Sequence, residues 1–230
     1  MESLYLLAII ILVLVVSWLL RKWQEARREK FIRTYMFPDG LLAKLGKQRQ
    51  GIGRKEQQLV ARALRQFFLA HLKSGRKFVS MPSQIVDDLW HEFILYTRHY
   101  EAFCKGAFGQ FLHHTPAVAL SADKQNNTGL RRVWRHACPE ENINPHTPTR
   151  LPLLFALDEK LKIEGGFRYT VDCSGFKRDG EKSDSGGTPF CGGDFSSTSF
   201  DGSTDGFGDS GGDGGGDGGG DGGAGGCGSD

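Results

Sequence analysis

Seventeen consecutive residues near the start of the chain, Leu4 to Leu20, read LYLLAIIILVLVVSWLL, and Ser17 is the one polar residue among them. As a helix this run is about 25 Å long, slightly short of a ~30 Å bilayer hydrocarbon core. Trp18 and Trp23 are placed for the interface, and Arg21 and Lys22 can reach the headgroups, which covers the shortfall. The competing reading is a cleaved signal peptide. Three features oppose it: Met-Glu-Ser before the run carries no positive charge, no small-x-small site follows, and the run is long for a signal core. The sequence therefore predicts one retained transmembrane helix over residues 4–20.

Charge sets the expected orientation. Residues 21–35 form a basic juxtamembrane segment, whereas the N-terminal flank has Glu2. By the positive-inside rule the short N-terminus lies outside, and the soluble domain is cytoplasmic at the inner (plasma) membrane. The net charge of +2 hides a split, because residues 201–230 hold seven aspartates and no Lys or Arg. The five cysteines, Cys104, Cys138, Cys173, Cys191 and Cys227, are odd in number and irregularly spaced, which fits reduced thiols.

The expected fold is mainly α. A small helical soluble domain covers residues 36–165, and a disordered Gly/Ser/Asp-rich tail covers 166–230. Phe37-Pro38-Asp39-Gly40 is a turn signal, and 41–46 can form a short helix. Residues 54–73 carry apolar side chains at helical spacing: Leu59, Val60, Ala63, Leu64, Phe67, Phe68 and Leu72. A second helix starts after Pro82 with Ser83 as N-cap and restarts near Thr97. Residues 121–128 read as a loop, 130–137 as a helix, 138–149 as irregular because of three prolines, 151–161 as a short helix, and 167–173 as one short strand. From about residue 174 onward no core is expected.

The chemistry is concentrated in residues 86–116, VDDLWHEFILYTRHYEAFCKGAFGQFLHHTP. Asp88 and His91 are three apart, and Asp87 and His91 four apart, so on a helix either carboxylate shares a face with the imidazole. Cys104 and the His113-His114 pair follow. Asp88, His91, Cys104, His113 and His114 are the candidate metal ligands, with Asp87 or Asp88 assisting, and thiolate plus imidazole suits zinc. Asp88 or Glu92 is the candidate general base. The alternative is structural, with Trp90 and His91 in a core, the imidazole bonded to Asp87 or backbone, and Cys104 a small buried hydrophobe. Leu95 stands four residues after His91, so the zinc-protease spacing fails.

The order Val86-Asp87-x-x-Trp90-His91, Tyr100, Cys104, Gly109, His114 resembles the glycine-rich domain-containing protein-like family. It is also similar to bacterial membrane proteins with a WHEFIL-type helix and an HH-x-P ending. Phe93 stands where the plant-type motif has a second histidine. The resemblance implies a family but no biochemical activity.

Weaker signals are His136-x-Cys138 with His146 in a proline-rich stretch, and Gly51-x-Gly53-Arg54-Lys55, which lacks a phosphate-loop context. Asp213, Asp217 and Asp221 recur every four residues, a period unlike that of calcium-binding repeats. The basic stretches 47–55 and 131–135 carry no nucleic-acid reading motif, so nucleic acid is an unlikely partner. Two functions are therefore expected. One is a protein-interaction or scaffold module, tethered to lipid by one helix. The other is a metal-binding protein or metal-dependent enzyme using His91, Cys104 and His114.

Overall fold

The computed structural model describes residues 2–49, 51–114, 128–171, 190, 191 and 195. Among these the chain is mainly helical: α1 (Glu2–Thr34), α2 (Leu41–Gln48), α3 (Arg54–Lys73), α4 (Gln84–Leu95), α5 (Thr97–Ala107), α6 (Thr128–Glu140) and α7 (Leu153–Lys160). Helix α1 has one stretch long and apolar enough to cross a membrane, and its apolar residues are exposed.

Helix α3 is the centre of the domain. Val60, Ala61, Ala63, Leu64, Phe67, Phe68, Leu69 and Ala70 are all buried, because α1, α2, α4, α6 and α7 pack around it. The apolar stripe read from the sequence is thus extended to most of the circumference by neighbours that arrive from distant parts of the chain. Phe67 and Phe68 meet Trp90 of α4, and Phe68 meets Phe103 of α5.

Helix α1 does not end at the basic segment. Its last turns enter the fold: Ile32 is fully buried, and Phe31 stacks on Phe103. The Phe31 ring lies where a Cβ on Gly106 would come within 2.8 Å, so α5 can approach α1 this closely because Gly106 has no side chain. Arg33 pairs with Glu29 (2.6 Å) and Glu140 (2.6 Å), and Lys73 pairs with both glutamates. Residues 28–35 therefore belong to the domain, not to a separate juxtamembrane linker.

The start of α4 is held from outside. Ser83 caps it, accepting from the Val86 amide, and donates its own hydroxyl to Asp158 Oδ1 at 2.7 Å. Asp158, on α7, also accepts from the amides of Gln84 (2.7 Å), Ile85 (3.2 Å) and Phe167 (2.9 Å). The free amides of the first turn of α4 are thereby satisfied, and a buried carboxylate is compensated by four donors. Helix α7 has Pro152 before it and no side-chain cap of its own. Its first amides bond instead to Glu141 and Gln66.

Three expectations are corrected here. Helix α6 runs through Cys138, Pro139 and Glu140, which were expected to be irregular; Pro139 fits because it lies in the last turn, and Trp134 and Ala137 anchor the helix in the core. The folded part does not stop at residue 165. Strand β1 (Tyr169–Thr170) pairs in parallel with β2 (Phe190–Cys191), and Phe195 is buried against Trp134, Phe155 and Tyr169. Core residues therefore occur beyond residue 174. Of the expected loop at 121–128, Thr128 already belongs to α6; its other residues, and the expectations for the other residues of the 172–230 tail, lie outside the described residues.

Replacing Asp158 with Ala strands four donors in buried or part-buried hydrogen bonds. It should destabilise the domain by about 3 kcal/mol or more, read by urea unfolding, whereas an exposed control such as Glu159→Ala should cost well under 1 kcal/mol.

Acid should unfold the domain in two stages. Burial lowers the pKa of His71 and His136 from its usual 6.5. The unfolded chain therefore takes up these protons first, and stability begins to fall as pH drops through about 6.5. The Glu92 carboxyl is held below its usual 4.5 by Lys44. Burial alone would raise Glu140, but hydrogen bonds from Lys73 and Arg33 outweigh it. Their stabilisation is complete above about pH 4.5 and is lost below it. Urea midpoints measured across this range would show both steps.

Candidate metal centre

The site begins with the register of α4. Asp87 and His91 stand one turn apart on the same face, and His91 Nδ1 lies 2.9 Å from the Asp87 carbonyl oxygen. A carbonyl only accepts, so Nδ1 carries the proton and the lone pair is on Nε2. The Asp87 carboxylate lies 3.4 Å from the same Nδ1.

The third member comes from 27 residues further on. Helix α5 ends at Ala107, and Gly109 just beyond it, with a φ of +76°, turns the chain back. The returning stretch is pinned at Leu112, whose carbonyl accepts from the Tyr100 hydroxyl at 2.6 Å; that hydroxyl in turn accepts from Trp90 Nε1 at 3.1 Å. Two residues later His114 Nε2 meets Asp87 Oδ1 at 2.9 Å. The His114 ring packs edge-on against Trp90 and lies 4.1 Å, centroid to centroid, from the His91 ring.

Asp87, His91 and His114 thus each offer a ligand atom, all within 4.8 Å of one another. In a tetrahedral zinc site the donors stand roughly 3.3 Å apart, so modest closure around an ion would suffice. The side chains of Asp87 and His114 are 12% and 10% exposed and that of His91 is 52% exposed, so the trio opens to solvent on one side. Two imidazoles and one carboxylate suit zinc or another divalent first-row metal, with further coordination positions left for water or a substrate.

The other candidate ligands lie elsewhere. Asp88 faces α2, bound by Arg49 at 2.7 and 2.8 Å and by Gln84 at 3.1 Å. Cys104 is buried on the inner face of α5, and burial raises its thiol pKa, which opposes the thiolate a metal requires. His113 is exposed and packs on Phe111, lining a small cleft with His71, Phe78 and Trp90. Neither candidate base reaches the trio: Asp88 is held by Arg49, and Glu92 is paired with Lys44 and Gln48. The carboxylate that does join the histidines is Asp87, and its four-residue spacing from His91 was the available signal.

Residues 27–195 match the profile of the UCP032817-like family. The chain belongs to the UCP032817-like family. This overturns the resemblance to the glycine-rich domain-containing protein-like family: the motif that suggested it spans about 30 residues, whereas the UCP032817-like match covers the folded domain. The matched region begins one residue before α1 enters the domain and ends at buried Phe195, so its limits agree with the packing. The apolar stretch 4–20 lies outside it. No curated protein and no solved structure matches the chain.

Burial raises the thiol of Cys138 as well, to about 12. In a variant with Cys173, Cys191 and Cys227 replaced by Ser, thiol reagents should modify Cys104 and Cys138 only as fast as the domain unfolds. Labelling that is rapid without denaturant would place Cys104 outside the core.

Proposed function

We propose that this UCP032817-like protein is a membrane-anchored metal-binding domain that holds one divalent transition ion, with zinc the best match, between Asp87, His91 and His114. The observation that carries this reading is the 2.9 Å approach of His114 to Asp87 with His91 beside them, one ligand atom of each residue lying within 4.8 Å of the others. The open side would let a bound ion act as a Lewis acid or pass the metal on. The anchor is α1, spanning the bilayer over residues 4–20, and the basic flank after it supports a cytoplasmic domain at the inner membrane.

A protein-interaction or scaffold module is the second reading, supported by the anchor and the glycine-aspartate tail. Beyond α1, however, the exposed large apolar side chains among the described residues are Met36, Phe78, Leu95 and Phe111, which is little for a docking face.

Calorimetric titration of zinc into the full-length protein in detergent should give one site per chain. His114→Ala and Asp87→Asn should each weaken binding by about tenfold or more, while Cys104→Ala leaves affinity within about threefold. Undiminished affinity in His114→Ala, with the fold intact by circular dichroism, would overturn the site. Strong loss in Cys104→Ala alone would restore a thiolate ligand.

A further inference from the structure

The domain meets α1 at a defined height. From Leu20, the end of the apolar run, to Arg28 is eight residues, or about 12 Å of helix. The headgroup layer takes up roughly 5–8 Å of that distance. The end of the domain nearest Arg28 is therefore close to the lipid surface, provided α1 spans the bilayer as proposed above.

Hydrogen bonds and packing identify that end. Helices α3 and α5 both run antiparallel to α1. The Tyr35 carbonyl accepts from Arg65 in the middle of α3, whereas Glu29, earlier on α1, pairs with Lys73 at its end. The Tyr35 hydroxyl approaches the His99 carbonyl at the start of α5, whereas Phe31 lies on Gly106 and Arg28 beside Gly109 at its end. The C-terminal ends of α3 and α5 therefore point toward the membrane. Arg76 joins them by donating to the Phe108 carbonyl at 3.0 Å.

The surface at that end is basic with an aromatic tip. Arg76, Lys77 and Lys105 are exposed, Arg28 is half-buried, and Phe78 is 43% exposed. Among the described residues, carboxylates on the neighbouring elements are few. Glu25 is paired with Lys22, Glu29 with Arg33 and Lys73, and Glu101 stands one turn further from this end than Lys105. Basic side chains around an aromatic ring suit the boundary between anionic headgroups and acyl chains.

We infer that Arg28, Arg76, Lys77 and Lys105, with Phe78 as a shallow wedge, form a second membrane contact that rests on anionic phospholipid and fixes the orientation of the domain on the bilayer. The metal-binding trio is not part of this contact, so the two ideas stand or fall separately.

The test uses the full-length chain in phosphatidylcholine vesicles with and without phosphatidylglycerol. A photo-crosslinking benzoylphenylalanine replaces Phe78 in one sample and Met36 in another; Met36 is 86% exposed and follows the last turn of α1, farther along the chain from the apolar run than Arg28. The chain should float with the vesicles. Lipid adducts at position 78 should exceed those at position 36 by roughly tenfold, and should fall several-fold without phosphatidylglycerol or in Lys77→Glu/Lys105→Glu. A chain that floats but forms no more adduct at 78 than at 36 overturns the contact and leaves the anchor standing. Adducts at 78 that ignore the anionic lipid overturn the assignment of the ligand. A chain that fails to float overturns the anchor, and the contact with it.

Discussion

The Asp158 carboxylate is the constraint on which the site depends. It takes a hydroxyl and three amides from two other segments, so the first turn of α4 cannot rotate or fray without exposing buried donors. A helix fixed at its N-terminus has a fixed register, and register decides that Asp87 and His91 face the returning strand while Asp88 and Glu92 face α2. The charge of Asp158 is tolerated in the core because every donor around it points inward, and its position on α7 ties the helix carrying the site to the far side of the domain.

The joint between α1 and the domain works differently. Arg33, Glu29, Lys73 and Glu140 form a network whose members are partly exposed, and single pairs of that kind contribute little. Its effect is geometric. Glu140 is the most buried member and receives both cations, which joins α1, α3 and α6 at one point. Combined with buried Ile32 and the Phe31–Phe103 stack, it fixes the last turns of α1 against α3, α5 and α6. The basic segment that looks like a linker in sequence is half recruited into the core.

Which parts of this were legible follows from how local each signal is. The stripe of α3, the Ser83 cap and the break at Tyr96 are set by neighbouring residues and can be read directly. Asp87 and Asp88 could not be ranked, because both share a face with His91; the difference lies in Arg49, which occupies Asp88 from 39 residues away. Cys104 was separable in principle: Tyr100, Phe103, Cys104 and Ala107 follow the apolar helical period, so the thiol belongs to the buried face. Phe195 could not be found, since one aromatic in a polar stretch reveals nothing of the Trp134 and Phe155 rings it meets. The family assignment failed for a related reason, because a short motif of tryptophan, histidine and tyrosine records local packing more than ancestry.

The return from α5 links the two halves of the molecule. Arg28 of α1 lies against Gly109, where the chain reverses, and Arg76 holds the Phe108 carbonyl next to it. Three residues past the reversal, Leu112 is fixed by Tyr100 and hence by Trp90, and two residues further His114 reaches Asp87. The position of one imidazole is therefore set from the helix that carries the carboxylate and from the end of the domain that α1 enters. A residue added between Leu112 and His114 would shift the histidine by about 3 Å, enough to break its 2.9 Å contact with Asp87. The short spacing from Gly109 to His114 is thus what brings the imidazole to Asp87, and the reversal it starts from packs against α1.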